Sequence, residues 1–358
     1  MSVSPASDSH NIIYGDRLVQ ELTTYNHHPP RLLADIGGTN ARFALELGPH
    51  RFTAVLVLAC NAYAGLHEAI RAYLESDTVR QAYPAIAQAP IRHAAIAIAN
   101  PVDGDLVSMT NHHWEFSVSQ LRDGLGLQTL VVVNDFTALA MALPYLQPEE
   151  KVQVGGGQAQ PQRVIGLIGP GTGLGVSAII PAGKQWVPLS SEGGHVSFSP
   201  VDAEELQLLQ EVWREFPHVS AERLISGMGI ELIYRTLCCL QGQTDALELP
   251  AAEISRQALD GSCPVCQKTI AHFCAMLGTV AGNLAITLGA TGGVYIGGGI
   301  VPRLGELFAH SAFRQRFEAK GRFVNYLAQI PTFVITAEYP AFLGVSAILT
   351  ERLPDIAC

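Results

Sequence analysis

The feature that most restricts this chain is a strand, glycine turn and strand that occurs twice. Residues 32–47, LLADIGGTNARFALEL, run apolar through Leu32, Leu33 and Ala34 to an acid, Asp35, and a glycine pair, Gly37-Gly38; Phe43, Leu45 and Leu47 then alternate on one face. Residues 164–180 repeat the scheme, with an apolar run to Ile168, the turn GPGTGLG, and a second apolar run of five residues. One such segment is compatible with an ordinary hairpin. Two of them, with Asn134-Asp135 delivered by the apolar strand 130–133 between them, predict two related halves gripping one nucleotide from both sides.

Glycines without Cβ let backbone N–H groups approach an anion, and Thr39 and Asn40 add side-chain donors, so the first turn suits a phosphate. Asp35 would repel that phosphate unless a cation lay between them. A hydrated Mg²⁺ held by one carboxylate and substrate oxygens meets the requirement, which makes the expected ligand a Mg-nucleotide. A P-loop or a dinucleotide fingerprint needs a helix directly after its glycines. Gly171-x-Gly173 tempts the dinucleotide reading, but only five residues separate this turn from Pro181-Ala182-Gly183, too few for that helix.

At 358 residues the default is two domains with a cleft, each burying its own core. A net charge of -10 without a basic block argues against nucleic acid or an anionic membrane as partner. Seven scattered cysteines and no charged-then-apolar leader predict a reduced cytoplasmic location, and no uninterrupted apolar run nears the ~18 residues of a membrane span.

Residues 1–30 are polar and aperiodic and read as a loosely ordered extension. Helical spacing at Leu66, Ile70, Tyr73 and Leu74, then alternation over 91–99, predicts an α/β layer, and Asp103-Gly104 reads as a hairpin turn leading to Thr110 and the His112-His113 pair. Adjacent histidines on extended chain face opposite ways, which disfavours a metal there. Asp135 has the chemistry and strand-end position of a general base, although a helix N-cap is the commoner role at such a joint. Ser191-Glu192-Gly193-Gly194-His195 is a glycine-flanked loop whose acid and imidazole can bond neighbouring hydroxyls. Glu222 follows Ser220, a residue type suited to an N-cap, and, taken alone, reads as an early-helix acid. Further on, Leu206, Leu209 and Trp213 share a helical stripe, as do Ile270, Phe273, Leu277 and Leu284, and all read as core. Cys263-x-x-Cys266 with His272 and Cys274 resembles a zinc set, but it lies on or beside an apolar helix.

Five blocks, LADIGGTNARFAL, VNDFTALAMALP, GPGTGLGV, SEGGHVSF and GGVYIGGGIVPR, occur in the order seen in bacterial ATP-dependent glucokinases, and over about residues 32–349 the chain resembles that family. The resemblance implies an α/β, two-domain actin-like ATPase (ribonuclease H-like) fold with the active site in the interdomain cleft. It implies a small domain of residues 31–145 plus about 337–358 and a large domain of 146–336. It further implies transfer of the γ-phosphoryl of ATP to the 6-hydroxyl of glucose, the entry step of glycolysis, with Mg²⁺ and in a homodimer. By the same resemblance Asp135 is the catalytic base, and Asn134, Glu192, His195 and Glu222 hold the sugar hydroxyls. Asp35, Gly37, Gly38, Thr39 and Asn40 form the first phosphate hairpin, with Asp35 on Mg²⁺ through water. Gly171, Thr172 and Gly173 form the second, and Gly297, Gly298 and Gly299 the adenosine-side loop. No cysteine lies between His195 and Cys238, unlike the zinc-bearing repressor and kinase group, so the chain follows the zinc-free branch.

Several carboxylates would repel a phosphorylated or carboxylated acceptor, which fits a neutral hexose. The alternatives are a kinase for another neutral hexose, a noncatalytic sugar-binding protein of the same fold, and a nicotinamide dehydrogenase built on Gly171-x-Gly173.

Overall fold

A computed structural model describes residues 30–110, 112–243 and 248–353, so the expected extension, residues 1–30, lies outside the described residues except for Pro30. The chain divides into two compact units. Of the described residues, one unit holds 30–135 together with 345–353, and the other lies within Phe136–Gly344.

The first unit is built on strands β1 (Arg31–Ile36), β2 (Asn40–Gly48), β3 (Arg51–Ala59), β4 (His93–Ile98), β5 (Leu106–Ser108), β6 (Glu115–Ser117) and β7 (Thr129–Asn134). Its main sheet has the order β3-β2-β1-β4-β7, an antiparallel meander followed by two parallel strands. Leu32, Leu33, Ala34 and Ile36 are all fully buried, as a strand paired on both edges and covered on both faces requires. Helix Leu66–Leu74 lays Leu66, Ala69, Ile70 and Tyr73 on the sheet, with the Tyr73 ring stacked on Phe43 at 5.1 Å. The end of helix Pro340–Arg352 returns here: Ser346 donates to Glu46 Oε1 at 2.6 Å, and Arg31, paired with Glu46 at 3.5 Å, donates to Thr350 at 2.8 Å. The predicted hairpin differs from the observed one. Gly104 does turn the chain at φ +100°, but the strand that pairs with β5 is β6, with the Met109 N–H donating to the Trp114 carbonyl at 3.0 Å beyond the last strand pair. The reason is Asp105, whose carboxylate accepts from the N–H of Ser119 in helix Val118–Gly124 and is thereby held outside the strand.

The second unit contains β8 (Lys151–Val154), β9 (Ile165–Pro170), β10 (Leu174–Ala182), β11 (Gln185–Ser191), β12 (Val294–Ile296) and β13 (Thr332–Ile335), in the order β11-β10-β9-β12-β13-β8. Its first five strands repeat the meander-plus-two-parallel pattern of the first unit, and β8 is an added antiparallel edge. Helix Pro264–Leu288 forms the spine of the core. Its Gly278 and Gly282 allow close approach: a Cβ at Gly278 would lie 2.2 Å from the Phe313 carbonyl oxygen. The helix is long and apolar enough to cross a bilayer, yet 72% of its most apolar stretch is buried within this unit, the environment of a core helix. Helix Ala203–Val212 is rotated from expectation. Leu206 and Trp213 are exposed, and the buried stripe is Glu205, Leu208, Leu209 and Val212. Glu205 takes the inward position because Arg316 pairs with its carboxylate at 2.5 Å and the Val201 N–H donates to it.

Candidate nucleotide and sugar site

The β1–β2 turn places Asp35 opposite Arg42 in the antiparallel register, and their side chains pair at 3.0 Å. Burial raises the Asp35 pKa and the Arg42 guanidinium opposes the rise, so this carboxylate is incompletely compensated for its loss of water. That is the environment in which a further cation is favourable, and Asp35 therefore fits a Mg²⁺ held by one protein carboxylate and substrate oxygens. The turn closes through the Gly37 N–H donating to the Asn40 carbonyl at 2.9 Å, with Gly38 half-buried and Thr39 exposed. Cys60, fully buried, sits behind it. Its N–H donates to the Thr39 carbonyl at 2.9 Å and its Sγ to the Gly37 carbonyl at 3.4 Å. Two carbonyls of the turn are thus tied inward.

Strand β7 ends at Asn134, and Asp135 opens helix Asp135–Ala142. The Asn134 Nδ2 donates to Asp135 Oδ1 at 2.9 Å and to the Asn100 carbonyl at 3.4 Å. Phe136, next in sequence, performs a packing task that spacing did not reveal. Cβ atoms at Gly169 and Gly175 would fall 2.7 and 2.2 Å from its ring, so both glycines are notches for one aromatic.

In the second unit the turn between β9 and β10 is closed by the Gly171 N–H donating to the Gly173 carbonyl at 2.8 Å, and it is tethered by the Gly227 N–H donating to the Gly171 carbonyl at 2.9 Å. Gly171 has open space where a Cβ would point, and Thr172 is exposed. Because β12 runs parallel to β9, the loop at Gly297, Gly298 and Gly299 lies beside this turn. Gly298, at φ +77°, would place a Cβ 2.2 Å from the Pro170 carbonyl oxygen, whereas Gly299 faces open space. Two glycine loops at the carboxyl ends of adjacent parallel strands make a shallow surface of accessible main chain, which suits a phosphate and its attached nucleoside.

Glu222 meets this surface. Its Oε2 accepts from the Leu174 N–H at 2.8 Å, and its Oε1 lies 3.9 Å from His195 Nε2. Glu192 Oε2 lies 4.0 Å from the same nitrogen. Both separations exceed hydrogen-bond length, so two carboxylates and an imidazole surround a polar gap that hydroxyl groups can fill. Glu192 and His195 are well exposed, and Glu222 is largely covered. Ser220 does cap the short helix Ala221–Leu224, accepting from the Arg223 N–H at 3.2 Å. Gly194 is required here: a Cβ would meet the Leu174 carbonyl oxygen at 2.1 Å.

The cysteine set lies apart from this chemistry. Cys263 Sγ caps helix Pro264–Leu288 by accepting from the Cys266 N–H, His272 pairs with Glu204 at 3.4 Å, and Cys274 is buried in the core. Among the described residues no three His, Cys, Asp or Glu side chains are grouped to hold a metal ion.

Comparison with solved structures defines the class: the fold is that of the actin-like ATPase sugar kinases. A crystal structure of a glucokinase from an Antarctic psychrotroph superposes with a TM-score of 0.80 at 37% identity, covering 91% of this chain and all of that one. The glucokinase family model matches residues 32–352, and the chain belongs to the glucokinase family. It is 51% identical to a glucokinase of Chromobacterium violaceum, covering 90% of each chain, and 56% identical to a bifunctional protein of Paraburkholderia xenovorans over 92% of its own length. It spans about half the length of that bifunctional relative, whose aligned portion is 50% of the whole.

Proposed function

We propose that the protein transfers the γ-phosphoryl group of ATP to the 6-hydroxyl of glucose, giving glucose 6-phosphate and ADP. The observation that carries the reading is the position of Glu222, with one carboxylate oxygen on the main chain of the glycine turn and the other toward His195. A single side chain there meets both a phosphate-type surface and a hydroxyl-type surface, which is what a sugar kinase needs. The family membership and the 37%-identical glucokinase structure support the same reaction.

The chemistry follows from residue types. Asp135 accepts the proton of the 6-hydroxyl as that oxygen bonds to the γ-phosphorus and the bond to the β,γ-bridging oxygen breaks, releasing ADP. Asn134, Glu192, His195 and Glu222 orient the ring through its other hydroxyls, the carboxylates accepting and the imidazole donating or accepting. The turn of Gly37, Gly38, Thr39 and Asn40 and the turn of Gly171, Thr172 and Gly173 face the phosphates; the N–H groups of Gly37 and Gly171 close these turns, leaving the other main-chain N–H groups and the hydroxyls of Thr39 and Thr172 to donate, and Gly297, Gly298 and Gly299 flank the nucleoside. Asp35 is the residue that would hold Mg²⁺, which supplies neutralisation of phosphate charge when bound. Six described cysteines, all free thiols, suit the cytoplasm. A homodimer is the proposed assembly, to be read by light scattering.

The test is coupled ADP release with ATP and Mg²⁺ across a panel of neutral hexoses. Sugar-dependent ADP release with glucose and a product phosphorylated at O6 is expected. Absence of turnover with every hexose, from folded protein, would overturn the reading, and turnover with another hexose only would move the substrate.

A further inference from the structure

We propose that Asn100 and Thr110 are positioning residues for the Asn134–Asp135 pair, holding the carboxylate of Asp135 in its working orientation through one chain of hydrogen bonds. The proposal rests on the reading of Asp135 as the base. It concerns residues that touch neither phosphate nor sugar in that reading.

The geometry is built from the end of β4. After Ile98 the chain makes a tight reversal, with the Asn100 N–H donating to the Ile98 carbonyl at 2.7 Å, which turns the Asn100 carbonyl toward the end of β7. That carbonyl accepts from Asn134 Nδ2. An amide nitrogen has two hydrogens, and the second goes to Asp135 Oδ1. The Asn134 amide is thereby fixed in one orientation, since a flip would set its oxygen against two acceptors. What keeps the Asn100 carbonyl in place is its own side chain, 9% exposed. The Asn100 Oδ1 accepts from both the N–H and the hydroxyl of Thr110, at 3.0 and 2.7 Å, and Nδ2 donates to the Pro101 carbonyl at 2.9 Å. Every hydrogen-bonding atom of this buried amide is committed to the turn. Removing it loosens the Asn100 carbonyl and, through it, the Asn134 amide that donates to Asp135.

Two consequences separate positioning from plain scaffolding. A donor to an ionised carboxylate favours the ionised form, so loosening Asn134 makes Asp135 harder to deprotonate and moves the acid limb of the pH profile upward. The loss also falls on the chemical step and spares nucleotide binding, which these residues do not approach along the chain of contacts.

The experiment compares wild type, Asn100→Ala, Thr110→Val, Thr110→Ser and Asp135→Asn as full-length protein with glucose and Mg-ATP, with circular dichroism and thermal melts confirming folding. Asn100→Ala is expected to lower kcat by about tenfold, to leave KM for ATP within about twofold, and to shift the acid limb of kcat/KM for glucose up by roughly half to one pH unit. Thr110→Val should show the same pattern more weakly, because the main-chain N–H still donates, and Thr110→Ser should restore wild-type values. Should Asn100→Ala prove poorly folded, Thr110→Val against Thr110→Ser carries the test alone. An unshifted acid limb with unchanged kcat in both Asn100→Ala and Thr110→Val, while Asp135→Asn is inactive, overturns the positioning role and leaves the base intact. Substantial turnover by Asp135→Asn overturns both.

Discussion

Gly173→Ala puts the dual placement of Glu222 under direct strain. Gly173 has no left-handed backbone requirement, so alanine fits the main chain, but its Cβ would lie 2.4 Å from Glu222 Oε2. The obstacle is the tip of a flexible side chain, and Glu222 can yield without disturbing the fold. In yielding it loses the 2.8 Å hydrogen bond from the Leu174 N–H and carries its other oxygen away from His195. A hydrogen bond to a charged group is worth about 1.5–3 kcal/mol, which corresponds to about a 10- to 160-fold loss in kcat/KM for glucose. The assay is the ADP-coupled reaction with glucose varied at saturating Mg-ATP, run as a double-mutant cycle with Glu222→Ala. In that background the methyl group has room, so the second substitution should cost almost nothing and the coupling energy should approach the whole single-mutant effect. An equal penalty for Gly173→Ala with and without Glu222 would refute the reasoning, because the loss would then come from the turn itself. No penalty in either background would remove Glu222 from sugar binding.

Asp135→Asn should lower kcat by about 10²-fold or more with a smaller change in glucose affinity, read by steady-state kinetics beside direct sugar binding. EDTA should abolish turnover and added Mg²⁺ restore it, while a zinc-selective chelator should leave the rate unchanged. Asp35→Asn should lose activity yet melt at a higher temperature than wild type near pH 7.5. Burial raises the Asp35 pKa above its ordinary 3.8, so the folded state holds this proton more tightly and the ionised group costs stability above that range; the difference in melting temperature should therefore shrink as pH falls toward 4, and a wild type that melts higher at pH 7.5 would contradict it. Gly298→Ala, with φ +77° and a Cβ 2.2 Å from a rigid carbonyl, should destabilise by several kcal/mol in chemical denaturation, whereas Gly299→Ala should stay within about 1 kcal/mol.

The twin glycine turns were legible because glycine spacing is a main-chain property, and a strand, turn and strand leaves its mark in consecutive residues. They predicted two related halves, and each sheet contains the expected antiparallel pair, β1 with β2 and β9 with β10; the third antiparallel strand and the two parallel strands of each sheet leave no mark in the turns, and the fold as a whole was read from the family resemblance. Side-chain partnerships across large separations were less accessible. Nothing in local spacing says that Phe136 fills the notches at Gly169 and Gly175, or that Arg316 draws Glu205 inward and turns Leu206 and Trp213 out. The hairpin assigned to Asp103-Gly104 failed for a related reason: the dipeptide does reverse the chain, but the partner strand is set by Asp105 reaching forward to Ser119. Glu222 read alone as a helix-start acid, and only the fold brings it to Leu174, 48 residues away.

The thiol of Cys60 offers a different use of the first hairpin. It is fully buried and its pKa is raised chiefly by that burial, so in the closed turn it is shielded from alkylating reagents and held as the unreactive thiol. Modification then proceeds only during excursions in which the turn lifts away from it, and the labelling rate becomes a clock for local opening, as amide exchange is for a helix. Any ligand that engages the outer side of Gly37, Gly38 and Thr39 would slow that clock in proportion to its occupancy. The protein thus contains its own gauge of how often its first glycine turn breathes, readable by mass spectrometry without any added probe group.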